Sequence, residues 1–103
     1  MYQLIGLFRQ PPDAEAFERA YTQEHLPLAR KIPGVISIEV SKFSPGKDGP
    51  ARYHQMSVLT FADKDAFKAA MKSPENAAAG ANLQAFAADL VEFFTAEKVT
   101  LHE

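Results

Sequence analysis

The sequence predicts an α+β sandwich of order β-α-β-β-α-β, with helices packed on one face of a four-stranded antiparallel sheet. Three observations predict it. Apolar residues alternate with period two at Ile36, Ile38 and Val40, and recur at helical spacing at Leu83, Phe86, Ala87 and Leu90. Turn and cap chemistry separates the periodic segments, at Pro11-Pro12-Asp13, Pro33-Gly34, Ser44 to Pro50 and Ser73-Pro74-Glu75. A length of 103 residues suits a single domain, residues 1–103, with a modest core.

Taken in order, residues 2–9 read as a strand with Tyr2, Leu4 and Phe8 on one face and Ile5 and Leu7 on the other. Asp13 is a good N-cap for the first helix, and Glu15 in its first turn suits the helix dipole. Phe17, Tyr21 and His25 lie four apart and share a face; Ala20, Glu24 and Leu28 form an adjoining stripe. Pro27 has no N–H, so the carbonyl of Gln23 loses its helical partner and the helix is expected to kink or end there. Pro33-Gly34 stops it.

Residues 35–43 form a second strand and residues 52–61 a third, joined as a hairpin across the 44–50 loop. Alternation along the third strand places Tyr53, Gln55 and Ser57 on one face with Leu59 and Phe61, and His54 on the other with Met56 and Val58. Asp63 caps a short helix carrying Phe67, Ala70 and Met71. Ser73, Pro74 and Glu75 then restart the helix as cap, first residue and first-turn acid. Gly80 weakens this second segment locally, and the alanines of 77–81 allow close packing. Phe93 to Leu101 is expected to be the last strand, with His102 in a solvated tail.

With helices on one side, the opposite face of the sheet should be polar. It cannot be polar throughout, because the first and last strands carry large apolar groups on both parities, Leu4 beside Ile5 and Phe93 beside Phe94. Leaving them in water would forgo about 1.5–3 kcal/mol each. A second copy of the same sheet packed against that face, a homodimer, is the simplest remedy.

Hydrophobic residues make up 47% of the chain and the net charge is −2. No basic run is available to neutralise phosphates, which argues against nucleic-acid and anionic-membrane partners. The strand 52–58 also lacks the glycine and paired aromatics of RNA-binding sheets with the same element order. The chain has no cysteine, which removes disulfides, thiol nucleophiles and thiolate metal sites, and fits a reducing compartment. The apolar N-terminus is too short for a signal sequence, and no window approaches the ~20 apolar residues of a membrane span. A cytoplasmic protein is expected.

Chemistry concentrates at one place. His25 can carry a proton near neutral pH. Tyr21, one turn earlier, can hydrogen-bond a developing oxyanion. A kink at Pro27 would open space between helix and sheet. An alternative stands beside this reading: His25 as a half-buried helix residue bonded to a backbone carbonyl. Tyr53 and Gln55 sit where polar groups open an apolar face, as at the mouth of a cavity or at an ordinary strand end. No metal is expected, since the three histidines are scattered with no ligand spacing between them. Gly-rich phosphate loops and nucleophile elbows are absent.

The segment Tyr21-x-x-x-His25-x-Pro27-Leu28-Ala29-x-x-Ile32-Pro33-Gly34 resembles the EthD family, a branch of the dimeric α+β barrel superfamily with a ferredoxin-like fold. The strand ending near Arg9-Gln10-Pro11, the Leu59-Thr60-Phe61 strand end and the Phe67…Ser73-Pro74-Glu75 helix restart join it, so the likeness spans nearly the whole chain. It implies a homodimer of facing sheets with a pocket between sheet and helices in each subunit. It also implies a superfamily that handles small hydrophobic molecules, including muconolactone-type isomerases, polyketide cyclases, cofactor-free quinol monooxygenases and haem-handling enzymes. EthD itself, named for an ether-degradation operon, has no assigned reaction. Relatives often carry two adjacent aromatics where this chain has Ala20-Tyr21, which bears on pocket size.

The resulting expectation is a cofactor-free homodimer acting on a small, largely apolar cyclic or aromatic-derived metabolite by proton transfer. His25 would move the proton, Tyr21 and Tyr53 would orient a substrate oxygen, and Gln55 would assist. A non-catalytic hydrophobic-ligand-binding protein, a haem-handling protein with His25 as ligand, and a cofactor-free oxygenase are the alternatives.

Overall fold

The structure, a computed structural model, describes residues 1–101; His102 lies outside the described residues. Strand β1 (Tyr2–Arg9) is followed by helix α1 (Ala14–Arg19), a π-helical turn (Ala20–His25) and helix α2 (Leu26–Ala29). Strands β2 (Ser37–Lys42) and β3 (Tyr53–Phe61), helices α3 (Lys64–Met71) and α4 (Pro74–Ala87), and strand β4 (Val91–Glu97) complete it. The sheet is antiparallel throughout, in the order β2-β3-β1-β4. The expected β-α-β-β-α-β order therefore holds, and the fold is ferredoxin-like α+β.

All three expected caps are in place. Asp13 accepts from the Ala16 N–H, Asp63 from Ala66 and Ser73 from Asn76, each meeting an otherwise unpaired first-turn donor. Gly34 has φ +82°, a left-handed conformation that lets the chain turn from α2 toward β2. The last strand differs from expectation: it runs over Val91–Glu97 and stops short of Leu101. Its pairing with β1 ends where Glu97 meets Tyr2, the first residue of β1, so no ladder remains for Lys98 onward beyond one bond to the Met1 carbonyl.

Pro27 neither ends the helix nor stands alone as a kink. The backbone widens ahead of it into the π-helical turn, in which the Leu26 N–H donates to the Tyr21 carbonyl five residues back. This widening accommodates a proline that cannot donate in the next turn, and the chain continues into α2.

Facing residues in the register share a side of the sheet. Toward the helices lie Leu4 with Leu59, Gly6 with Ser57 and Phe93, and Phe8 with Gln55 and Val91. Two buried clusters result: Phe8, Phe17, Tyr21, Leu83 and Ala87 at one end, and Ala29, Ile32, Phe61, Ala70 and Ala79 at the other. The opposite side brings Phe94, Ile5 and Val58 into one row and Leu7 beside Met56. No element of the described chain covers this row, and Phe94 is 50% exposed.

Candidate functional site

A cavity of about 70 Å³ lies where the two buried clusters meet. Gly6, Ser57 and Leu59 form its floor, Tyr21, His25 and Ala29 one wall, and Asn76, Ala79, Gly80 and Leu83 the other, with Phe93 also lining it. Absent side chains make room for it. A Cβ on Gly6 would stand 3.4 Å from the Phe93 ring, and one on Gly80 would meet nothing within 4 Å. The volume is about half that of an engineered apolar cavity that takes benzene, so it seats the end of a small molecule rather than a whole ring. A porphyrin does not fit beside His25 unless helices and sheet part.

Tyr21 is 2% exposed and sits in a row of rings. Its ring stacks on Phe17 at 5.9 Å between centroids and lies 5.4 Å from the His25 ring. Its hydroxyl is 2.6 Å from Ser57 Oγ. Burial pushes the phenol pKa upward against the bond to Ser57, which lowers it, so Tyr21 stays protonated at neutral pH.

His25 is half-buried, and burial in this apolar wall holds its pKa below the usual imidazole value. The Asn82 side chain and the Ala79 backbone face the ring and offset part of that effect. Neither closes a hydrogen bond to Nδ1, which is buried and unpartnered, as is Asn82 Oδ1. Asn82 Nδ2 donates to Glu24 Oε1 at 3.3 Å, which turns Oδ1 inward. A hydrogen on Nδ1 would face Asn82 Oδ1 and the Ala79 backbone as acceptors, and leaves Nε2 as the basic nitrogen. The Ala79 backbone beside the ring is the partner that the alternative reading requires, a helix histidine facing a backbone carbonyl, although the contact falls short of full hydrogen-bond geometry.

Behind Ser57 runs a polar chain to the surface. Gln55, fully buried, donates from Nε2 to Ser57 Oγ at 3.0 Å. Its Oε1 accepts from the Lys42 ammonium, which also bonds Glu18. His54 Nε2 reaches the same Glu18 oxygen at 2.9 Å. Burial raises the Glu18 pKa, but the bonds and charges of Lys42 and His54 outweigh it and leave the group below its ordinary value. Gln55 therefore sits one residue back from the cavity, acting on it through Ser57.

Two sequence placements change. His54 points to the helix side, edge-on to Phe17 with centroids 5.4 Å apart, because the β1–β3 register slips at this end. Phe8 faces Gln55 whereas Arg9 faces Tyr53, so His54 is the extra residue of a bulge and simple alternation fails beyond Gln55. Tyr53 is correspondingly absent from the cavity and packs on Phe43 at 6.3 Å. Sequence reasoning missed Ser57 as the partner of Tyr21, although Gly6 opposite it marked an empty position. It also missed Asn82, whose place on the face of α4 next to Leu83 was the available signal. Among the described residues, no three His, Asp or Glu side chains gather as a metal site would need. No helix among them is long and apolar enough to cross a membrane.

Comparison with known proteins follows the same outline. The EthD domain model matches residues 9–95. An uncharacterised 11.0 kDa protein of the thcB–thcC intergenic region of Rhodococcus erythropolis is 30% identical over 102 residues, covering 98% of this chain and 99% of that one. The crystal structure of an ethyl tert-butyl ether d (EthD) family protein from Bacillus halodurans C-125 is similar with a TM-score of 0.92 and 31% identity, covering 96% of this chain and 99% of that one. A dimeric ferredoxin-like protein of unknown function from Jannaschia sp. CCS1 shares the fold at 22% identity and a TM-score of 0.67, over 95% and 100% of the two chains. With the family model spanning most of its length and relatives matching end to end, this chain belongs to the EthD family.

Proposed function

We propose that the protein binds a small, largely apolar cyclic metabolite and moves a proton on it, as an isomerase or cyclase does, with no cofactor. The observation that carries this reading is the place of the His25 ring, in an apolar cavity wall with its centroid 5.4 Å from that of the buried Tyr21 phenol, where burial favours the neutral form of both groups. A neutral imidazole with its hydrogen on Nδ1 takes a carbon-bound proton at Nε2. The electron pair left behind moves to an adjacent oxygen, where the Tyr21–Ser57 pair lies to receive it. Return of the proton to a second carbon completes an isomerisation, and no electrons leave the substrate.

The functional unit is a homodimer. Phe94, Ile5, Val58, Leu7 and Met56 make an uncovered apolar centre, flanked in the same registers by Glu39, Ser41 and Glu92, and a second copy of the same face would bury it. The Jannaschia protein of the same fold is described as dimeric, which agrees with this reading.

Cyclohexanone in deuterium oxide provides the test, since its ring carbons next to the carbonyl bear exchangeable hydrogens. Wild-type protein should speed deuterium incorporation above the buffer rate, by roughly 100-fold or more, the usual contribution of a positioned general base. His25→Ala should return the rate to that of buffer while circular dichroism shows the fold retained. Equal rates for the two proteins would remove the proposed role of His25.

A further inference from the structure

A count of hydrogens at the Tyr21–Ser57 pair bears on the kind of molecule the cavity takes. The Lys42 ammonium can only donate, so the Gln55 atom it meets is the amide oxygen and the atom meeting Ser57 is the amide nitrogen. Ser57 Oγ therefore accepts one hydrogen bond from Gln55. Two hydroxyl hydrogens remain, one on Ser57 and one on Tyr21, and only one of them can lie in the 2.6 Å contact between the two oxygens. Whichever way that bond runs, one hydroxyl hydrogen is left over. Both residues line the cavity, and neither side chain has another protein acceptor in the described hydrogen bonds.

The rest of the lining limits the ligand further. No lysine or arginine lines the cavity, and the nearest described ammonium on this chain of contacts, that of Lys42, is spent on Glu18 and Gln55. An ionised carboxylate would enter without a counter-charge, at a desolvation cost that one neutral donor does not offset.

We infer that the site selects a neutral carbonyl compound, an apolar ring ketone, enone or lactone whose oxygen accepts the surplus hydroxyl hydrogen of the Tyr21–Ser57 pair. The inference rests on the proposed reading of this cavity as the substrate site and names its substrate class. The carbonyl oxygen sits at the floor beside Ser57, and the apolar ring extends toward the Phe93 side. Either hydroxyl can supply the hydrogen. Without Tyr21 Oη, Ser57 loses its only acceptor and turns its hydrogen to the cavity; without Ser57 Oγ, Tyr21 does the same.

The test uses cyclohexanone, methylenecyclohexane and cyclohexanecarboxylate as probes. Infrared difference spectra should show the cyclohexanone carbonyl stretch moved to lower wavenumber on binding to wild type. The shift should persist in Tyr21→Phe and in Ser57→Ala, and vanish in the double variant Tyr21→Phe/Ser57→Ala. Methylenecyclohexane, which has the shape but no acceptor, should bind wild type roughly five-fold more weakly than cyclohexanone, the equivalent of one neutral hydrogen bond. Cyclohexanecarboxylate should bind most weakly of the three. An unshifted carbonyl in folded wild type, a shift retained in the double variant, or tightest binding by the carboxylate would overturn the inference. The wild-type spectra need no variant to fold. They read the oxygen end alone, so a shifted carbonyl without His25-dependent exchange would defeat the proton-transfer reading and leave the substrate class standing.

Discussion

Tyr21 and Ser57, thirty-six residues apart in the chain, meet through hydroxyl oxygens 2.6 Å apart at the floor of the cavity. The contact ties the π-helical turn to the centre of the sheet and joins a polar chain that reaches Glu18 through Gln55 and Lys42. Removing Ser57 Oγ leaves the Gln55 amide hydrogen buried without its acceptor. Ser57→Ala should therefore lower unfolding stability by about 1–3 kcal/mol in urea titration. A midpoint unchanged from wild type would mean that water replaces the serine.

The two cavity-lining glycines should respond differently. Gly80 lies inside α4 and an added methyl meets nothing within 4 Å. Gly80→Ala should stabilise the fold by about 0.5–1 kcal/mol, the helix-propensity difference. Gly6→Ala places its methyl at 3.4 Å from Phe93, on the cavity floor. It should keep the fold and lose cyclohexanone binding, read by titration calorimetry; undiminished binding would place the ligand elsewhere.

The pH dependence follows from the depressed pKa of His25. The folded state binds a proton there less readily than the unfolded chain, whose imidazole titrates near 6.5. His25 burial thus contributes stability that is fully present above pH ~6.5 and is lost as pH falls below it through the folded value. Urea midpoints should fall between pH 7 and pH 5.5, and the fall should be smaller in His25→Leu. Glu18, with a lowered pKa, adds a separate loss in the acid range below its ordinary value of 4.5.

The uncovered sheet face makes an oligomeric prediction. Ile5, Val58 and Phe94 stand side by side with Glu39 next to Val58, so an aspartate at Val58 replaces apolar surface at the centre of the proposed interface with a second carboxylate. Val58→Asp should sediment as a monomer where wild type sediments as a dimer. A dimer that survives the substitution would place its interface elsewhere.

Most of the architecture was legible because it rests on local chemistry. Asp13, Asp63 and Ser73 announce their helices through side chains that act within three residues. The grouping of Phe17, Tyr21 and His25 also survives, even though the turn carrying them is widened. The failures share a cause: they depend on partners distant in sequence. The bulge that turns His54 toward Phe17 and takes Tyr53 from the cavity is a property of pairing with β1, which the pattern within β3 does not encode. Likewise, Ser57 and Asn82 acquire meaning only when the sheet and α4 bring them to Tyr21 and His25.

The central claim is that His25 is a neutral imidazole facing the ligand space, with its hydrogen on Nδ1 and its free pair on Nε2. Nitrogen-15 NMR of the histidine rings, followed from pH 5 to 8 with and without cyclohexanone, tests it most directly. The account predicts a His25 pKa below 6.5, an Nδ1–H tautomer at neutral pH, and a shift of the Nε2 resonance when cyclohexanone is added. A ring that titrates at or above 6.5 and ignores cyclohexanone would contradict it.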